Sequence, residues 1–111
     1  VIEGLGFTEH ANPLGMYEKV THADEHPEMS VFMTLAGPDC VDHRYLTEDC
    51  SCGAAIALSF AKRLGVNMKV LAAFVEVAGI LTGHDFIAEG RTLENLGFGE
   101  EMSIEEIMAA V

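Results

Sequence analysis

Between Ser51 and Leu81 the apolar side chains recur three or four residues apart and do not alternate over a strand length. Ile56, Phe60 and Leu64 share one helical face, with Ala57 and Ala61 beside them. Lys62 and Arg63 suit the negative end of a helix dipole and Gly65 suits its stop, so a helix is predicted over 51–64. A second helix is predicted over 68–81, with Leu71, Phe74, Val75, Ala78 and Leu81 on one face and Gly83 as its end. Only Lys69 and Glu76 are charged within it. A helix apolar nearly all round is buried, either in its own domain or at an interface.

The flanking segments are helical in the same way. Pro13 starts a short element through Leu14, Met16, Tyr17 and Val20, and Pro27 starts another that runs to Leu35 and stops at Gly37-Pro38. Single turns are predicted near 85–89 and 92–96. Ser103 and Glu106 form an S-x-x-E capping box, Met102 is placed to staple onto Ile107, and Ile104, Ile107, Met108 and Val111 form the apolar stripe behind it. The fold class is therefore all-α, with about five to six helices.

The chain has 111 residues, so 1–111 is read as a single helical domain. A compact chain of this mass exposes roughly 6,000 Å². Eighteen acids against six bases leave a net charge of −12. Such a field repels nucleic acid and anionic lipid, so neither is an expected partner. Any anion site must rest on local cations, for which Arg44 and Arg91 are the candidates. The apolar run 70–82 is too short to cross a bilayer. Val1-Ile2-Glu3-Gly4-Leu5-Gly6 reads like the last turn of a helix with its glycine stop, and no initiator Met or signal peptide precedes it. The expectation is a piece of a longer polypeptide. Three Cys without a secretory signal point to a reducing, cytoplasmic setting rather than a disulfide framework.

The stretch Asp42-His43-Arg44-Tyr45-Leu46-Thr47-Glu48-Asp49 concentrates charge just before the apolar block. The planar guanidinium of Arg44 can hold a carboxylate through two parallel hydrogen bonds. Asp49, at the edge of a core, is a candidate for a catalytic carboxylate. The plainer alternative is a structural Arg44–Asp49 ion pair. Cys40-x-x-His43 followed by Cys50-x-Cys52 offers four zinc donors, but C-x-C is a poor match to chelating spacing. His22 and His26, with Asp24 and Glu25 between them, read as a solvated turn. No metal is therefore expected. The chain holds no G-x-G-x-x-G and no P-loop, so no nucleotide cradle is predicted within it.

Two longer stretches resemble a known family. Arg44-Tyr45-Leu46-Thr47-Glu48-Asp49 is followed by Gly53 and by Leu64-Gly65-Val66. Gly83-His84-Asp85-Phe86-Ile87-Ala88-Glu89-Gly90-Arg91-Thr92-Leu93-Glu94-Asn95-Leu96-Gly97 comes after them. Together these resemble the C-terminal helical domain of the opine dehydrogenases (octopine/nopaline dehydrogenase-like). The resemblance implies an all-helical domain of the 6-phosphogluconate-dehydrogenase-C-terminal-like type, joined in the parent enzyme to an N-terminal Rossmann domain that binds NAD or NADP. It implies reductive condensation of an amino acid with an α-keto acid. Arg44 would anchor a substrate carboxylate, and Asp49 would orient a catalytic His supplied from upstream, outside this chain. Without the Rossmann half, this chain alone is expected to bind no dinucleotide and to be inactive. After Asp49 the family continues with an apolar residue and Pro, where this chain has Cys50-Ser51-Cys52. Arg91 and Glu94, with Glu89, are expected to knit short helices together rather than to catalyse, and His84 is expected at the surface. A homodimer is a further expectation. The alternative class is a free-standing helical interaction or dimerisation module, without catalysis, that uses the helix at 68–82 as its contact surface.

Overall fold

The computed structural model describes residues 1–8, 14–22 and 24–110, apart from the side chains of Met16 and Met33. The predicted helix start at Pro13 and the end of the last stripe at Val111 lie outside these residues. Among the described residues every regular element is helical. The α-helices are α1 (Gly15–Thr21), α2 (Arg44–Glu48), α3 (Ala55–Leu64), α4 (Lys69–Thr82), α5 (Phe86–Glu89) and α6 (Ile104–Ala109). Short 3-10 segments cover Glu3–Leu5 and Pro27–Thr34, the latter with its proline in the first turn.

His43 starts the central rod. Its ring Nδ1 accepts the Tyr45 N–H at 3.2 Å, and its carbonyl accepts those of Leu46 and Thr47. These bonds satisfy donors that a helix start would leave orphaned. The helix thus begins at Arg44 rather than Ser51. A π-helical turn, Asp49–Ala54, joins α2 to α3 without a break. Glu48 (φ −70°, ψ −42°) and Ala55 (φ −59°, ψ −47°) flank it in right-handed helical geometry. Gly65, at φ 66°, ends α3 in the left-handed conformation that a side chain would resist.

The core forms where this rod meets α4 and α5. Cys50, Val75, Ala78 and Phe86 are buried together, with Leu46, Ala54 and Leu58 packed against them. The inward face of α4 is Leu71, Val75, Ala78 and Thr82. Phe74 and Leu81, expected on the same face as Leu71, Val75 and Ala78, are 69% and 58% exposed. A helix apolar on all sides carries no phase in its sequence; the rod and α5 cover only one side, and the other is left open.

The last third of the chain lies along α3. Residues four apart share a helix face, and Ser51, Ala55, Ser59 and Arg63 form such a row. The Ser51 carbonyl accepts the Arg91 N–H at 2.7 Å, and the Ser59 hydroxyl accepts the Leu93 N–H at 3.1 Å. Arg63 donates to the carbonyls of Met102 at 2.8 Å and Phe98 at 3.2 Å. Gly90 passes so close that an added Cβ would overlap the Phe86 and Ser51 carbonyl oxygens and the Ala55 methyl group. The capping box of α6 forms as predicted, with Glu106 N–H on the Ser103 hydroxyl at 3.2 Å and Ser103 N–H on the Glu106 carboxylate at 2.8 Å.

The molecule exposes 8019 Å², well above the roughly 6,000 Å² of a compact chain of this mass. Its radius of gyration, 16.9 Å, likewise exceeds the ~13 Å expected for this length. Exposed side chains of α4 and of the 27–35 segment contribute to that excess.

Candidate functional site

Arg44 and Asp49 open and close the first stretch of the central rod, and both are exposed. Arg44 is the first residue of α2, and Asp49 is the first of the π turn. The guanidinium of Arg44 does not pair with Asp49. Its Nη2 lies 3.4 Å from Glu48 Oε2, with both side chains largely in solvent. The reason is angular: residues four apart are neighbours on a helix, whereas residues five apart point to different sides. The structural Arg44–Asp49 pair is therefore replaced by an exposed Arg44–Glu48 pair. Such a surface pair contributes only about 0–1 kcal/mol, so a carboxylate with two-point geometry can displace it.

Behind these residues the rod is held firmly. Leu46 packs on the core, and Cys50 is buried in it. Burial pushes the Cys50 thiol above its ordinary pKa, and the neighbouring Asp49 carboxylate adds to that push. The Tyr45 ring meets the His43 imidazole edge-on, with centroids 4.7 Å apart. π turns recur at functional positions because they aim side chains that a regular helix would direct elsewhere.

The other candidates fall outside this turn. Arg91 is exposed, and its backbone, not its guanidinium, ties it to Ser51. The knitting role expected of Arg91 belongs instead to Arg63, whose side chain is only 12% exposed and whose Nη2 reaches Glu94 Oε1 at 3.4 Å. Glu94 is held below the usual carboxylate range, first by its own backbone N–H and then by Arg63. Glu89 takes the His84 Nδ1 at 3.0 Å, and His84 is exposed as expected. Asn95, unremarked in the sequence, donates to the carbonyls of Ala88 at 2.9 Å and Gly90 at 2.8 Å and so fixes the approach of Gly90.

Cys40 is exposed, Cys50 buried and Cys52 between the two, while His43 Nδ1 serves as a helix cap. Among the described residues no three His, Cys, Asp or Glu side chains form a group that could hold a metal ion. His22 Nδ1 lies 2.9 Å from the Glu18 carbonyl, and His26 Nδ1 lies 3.3 Å from Glu28 Oε1. Among the described residues no helix is long and apolar enough to cross a membrane.

A family model described as "NAD/NADP octopine/nopaline dehydrogenase, alpha-helical domain" matches residues 10–82. The chain belongs to the octopine/nopaline dehydrogenase family. The matched span contains Arg44, Asp49, the π turn and the whole of α3 and α4. The stretch from Gly83 that docks along α3 follows immediately after it. Comparisons with curated proteins and with solved structures gave no match. Octopine/nopaline dehydrogenases use NAD or NADP. The residues of this chain do not suit a dinucleotide cradle of the Rossmann kind: no strand occurs among the described residues, and the sequence has no glycine-rich fingerprint.

Proposed function

We propose that this chain is the substrate-holding helical part of an NAD(P)-dependent opine-dehydrogenase-like enzyme, which condenses an amino acid reductively with an α-keto acid. The carrying observation is the exposed Arg44, paired only loosely with Glu48 and standing five residues before Asp49, which opens a π turn inside the matched span. Arg44 binds a substrate carboxylate by the two-point geometry that guanidinium favours. Asp49 accepts a hydrogen bond from a His carried upstream in the same polypeptide, fixes its tautomer and stabilises its protonated form. The cofactor supplies hydride from the Rossmann half; the residues here bind and orient. Arg91 and Glu94 serve packing. Compartment and subunit number follow as expectations only: a cytoplasmic enzyme, associated as a homodimer.

The test is steady-state kinetics on a polypeptide that carries both halves. Arg44→Ala raises KM for a carboxylate substrate about 100-fold and leaves the KM for NAD(P)H unchanged. Asp49→Asn lowers kcat about 100-fold or more with little change in KM. An unchanged kcat for Asp49→Asn would remove the orienting role. An unchanged substrate KM for Arg44→Ala would remove the anchor.

The open face of α4 favours a second reading, a helical association module without catalysis. The same two substitutions separate the readings, because neither would change the association of such a module.

A further inference from the structure

We infer that His43 is a positioning residue for Arg44, which it holds in place only while its imidazole is neutral. The Tyr45 N–H donates to His43 Nδ1 at 3.2 Å. A ring nitrogen accepts only through a lone pair, so Nδ1 is bare and the proton of the neutral ring sits on Nε2. Ser, Thr and Asn, common residues at a helix start, keep an acceptor oxygen at every pH. Imidazole does not. A proton on Nδ1 sets two donors face to face and places a positive charge at the positive end of the helix dipole. The capped and the charged forms of His43 therefore exclude each other. Imidazoles gain their proton over about pH 5–8. The cap is complete on the alkaline side of that range and is given up as pH falls through it.

The cap acts on a short piece of chain. Arg44 is the first residue of α2, and His43 before it is extended, at φ −83° and ψ 147°. The turn between them is closed by the cap and by the His43 carbonyl, which accepts the N–H groups of Leu46 at 2.8 Å and Thr47 at 3.1 Å. The Tyr45 ring, edge-on to the imidazole with centroids 4.7 Å apart, closes the same turn from outside. Leu46 packs on the core, so loosening that starts at His43 stops there, and Arg44 and Tyr45 lie on the loosened side. The Arg44–Glu48 pair depends on helical spacing and lapses with it. Removing a cap shifts such a balance about 2- to 30-fold.

The surrounding charges do not replace the cap. Asp42 and Arg44 adjoin His43, and Glu48 and Asp49 stand on the same rod. The elements that share the core with Leu46 are α4, which carries Lys69 and Glu76, and α5, which carries Glu89 and is capped by Asp85. Among the described residues no ion pair joins any of these to the imidazole, and the one hydrogen bond of its ring is with Tyr45.

The consequence for binding rests on the reading of Arg44 as the carboxylate anchor. A neutral His43 presents the guanidinium in one direction. A protonated one leaves only a fraction of the molecules so arranged, and the apparent affinity falls by that fraction.

NMR of the ¹³C,¹⁵N-labelled 111-residue chain from about pH 8.5 to about pH 5 tests the cap itself. Ring signals report the protonation of His43, and Cα shifts report helix at Arg44 and Tyr45. Those Cα shifts should lose helical character along the same curve as the His43 ring, while α3 and α4 stay unchanged. His43→Asn supplies an acceptor oxygen that takes up no proton in this range and should keep Arg44 and Tyr45 helical throughout. His43→Ala should lower their helical character at both ends of the range. Cα shifts that ignore the His43 titration overturn the inference, as does an equal pH response in His43→Asn. The kinetic arm uses the polypeptide that carries both halves. The KM for the carboxylate substrate should rise about 2- to 30-fold as His43 protonates and by less in His43→Asn. Should Arg44→Ala raise that KM while the two pH profiles coincide, the positioning role of His43 is overturned. Should Arg44→Ala leave KM unchanged while the Cα shifts follow His43, the anchor reading falls and the cap stands.

Discussion

The hydroxyl of Ser59 accepts the backbone N–H of Leu93 across 34 residues of sequence, at 3.1 Å, and both residues are buried. One small side chain in the middle of α3 thus holds the returning chain against the rod. The same hydroxyl donates to the Ile56 carbonyl at 3.0 Å, so its proton and a lone pair are both used.

Ser59→Ala leaves the Leu93 N–H buried without an acceptor. Stability should fall by about 1–3 kcal/mol, read as a lower urea midpoint with an unchanged slope. Ser51→Ala is the contrast, because Ser51 meets Arg91 through its backbone carbonyl. It should change stability by less than about 0.5 kcal/mol.

Two glycine substitutions should have opposite signs. Gly90→Ala forces a methyl group into the Phe86 and Ser51 carbonyls and should cost more than about 2 kcal/mol, enough to threaten folding of so small a core. A Cβ at Gly53 meets nothing within 4 Å. Gly53→Ala lies in helical backbone and should stabilise by about 0.5–1 kcal/mol. Thermal unfolding of both variants checks the pair.

Acid should weaken the α3 clamp and the α6 cap. Glu94 and Glu106 both sit below their ordinary value of 4.5 in the folded chain. Glu94 is lowered first by its own N–H and then by Arg63; Glu106 is lowered by the Ser103 backbone and hydroxyl. A lowered folded pKa gives stability that is present above 4.5 and lost as pH falls below it. Urea midpoints should therefore be flat in this contribution above about pH 5.5 and decline below 4.5. The double variant Glu94→Gln, Glu106→Gln should show a shallower decline over that interval.

Thiol reactivity should rank by burial. Cys40 is exposed, Cys52 intermediate and Cys50 buried, and Cys50 is pushed above its ordinary 9.0 by desolvation and Asp49. Iodoacetamide at pH 8 should label Cys40 first and Cys50 last, because only the thiolate reacts. Peptide mass mapping over time reads the order. Asp49→Asn should speed labelling of Cys50 modestly, since it removes the smaller of the two causes.

Much of the helical plan was legible in the residues. The helix through Ile56, Phe60 and Leu64, the glycine stops at 65 and 83 and the Ser103–Glu106 cap each carry a local signature. The inward side of that helix was not legible: these three residues are only half-buried, and the rod turns Leu46, Cys50, Ala54 and Leu58 to the core instead. The start at Arg44 was not legible, because Cys50-Ser51-Cys52-Gly53 are weak helix formers and the π turn that accommodates them leaves no periodic trace. The phase of α4 was hidden by its uniform greasiness. Arg63 was read as a dipole partner because its acceptors at Phe98 and Met102 are backbone carbonyls, which any residue supplies. The row Ser51, Ala55, Ser59, Arg63 did carry a signal: small or polar residues at every fourth position beside an apolar face.

The π turn at Asp49–Ala54 also gives the rod slack. It takes an extra residue within one full circle, so the α-helical turns on either side stay in register. Deleting a single residue there would restore an ordinary helix and leave Arg44 facing the same side of the rod. Deleting one from the regular part of α3 would swing everything before it by about 100°. The stretch from Cys50 to Ala54 is thus a place where the chain can lose a residue without turning Arg44 away from the side it faces.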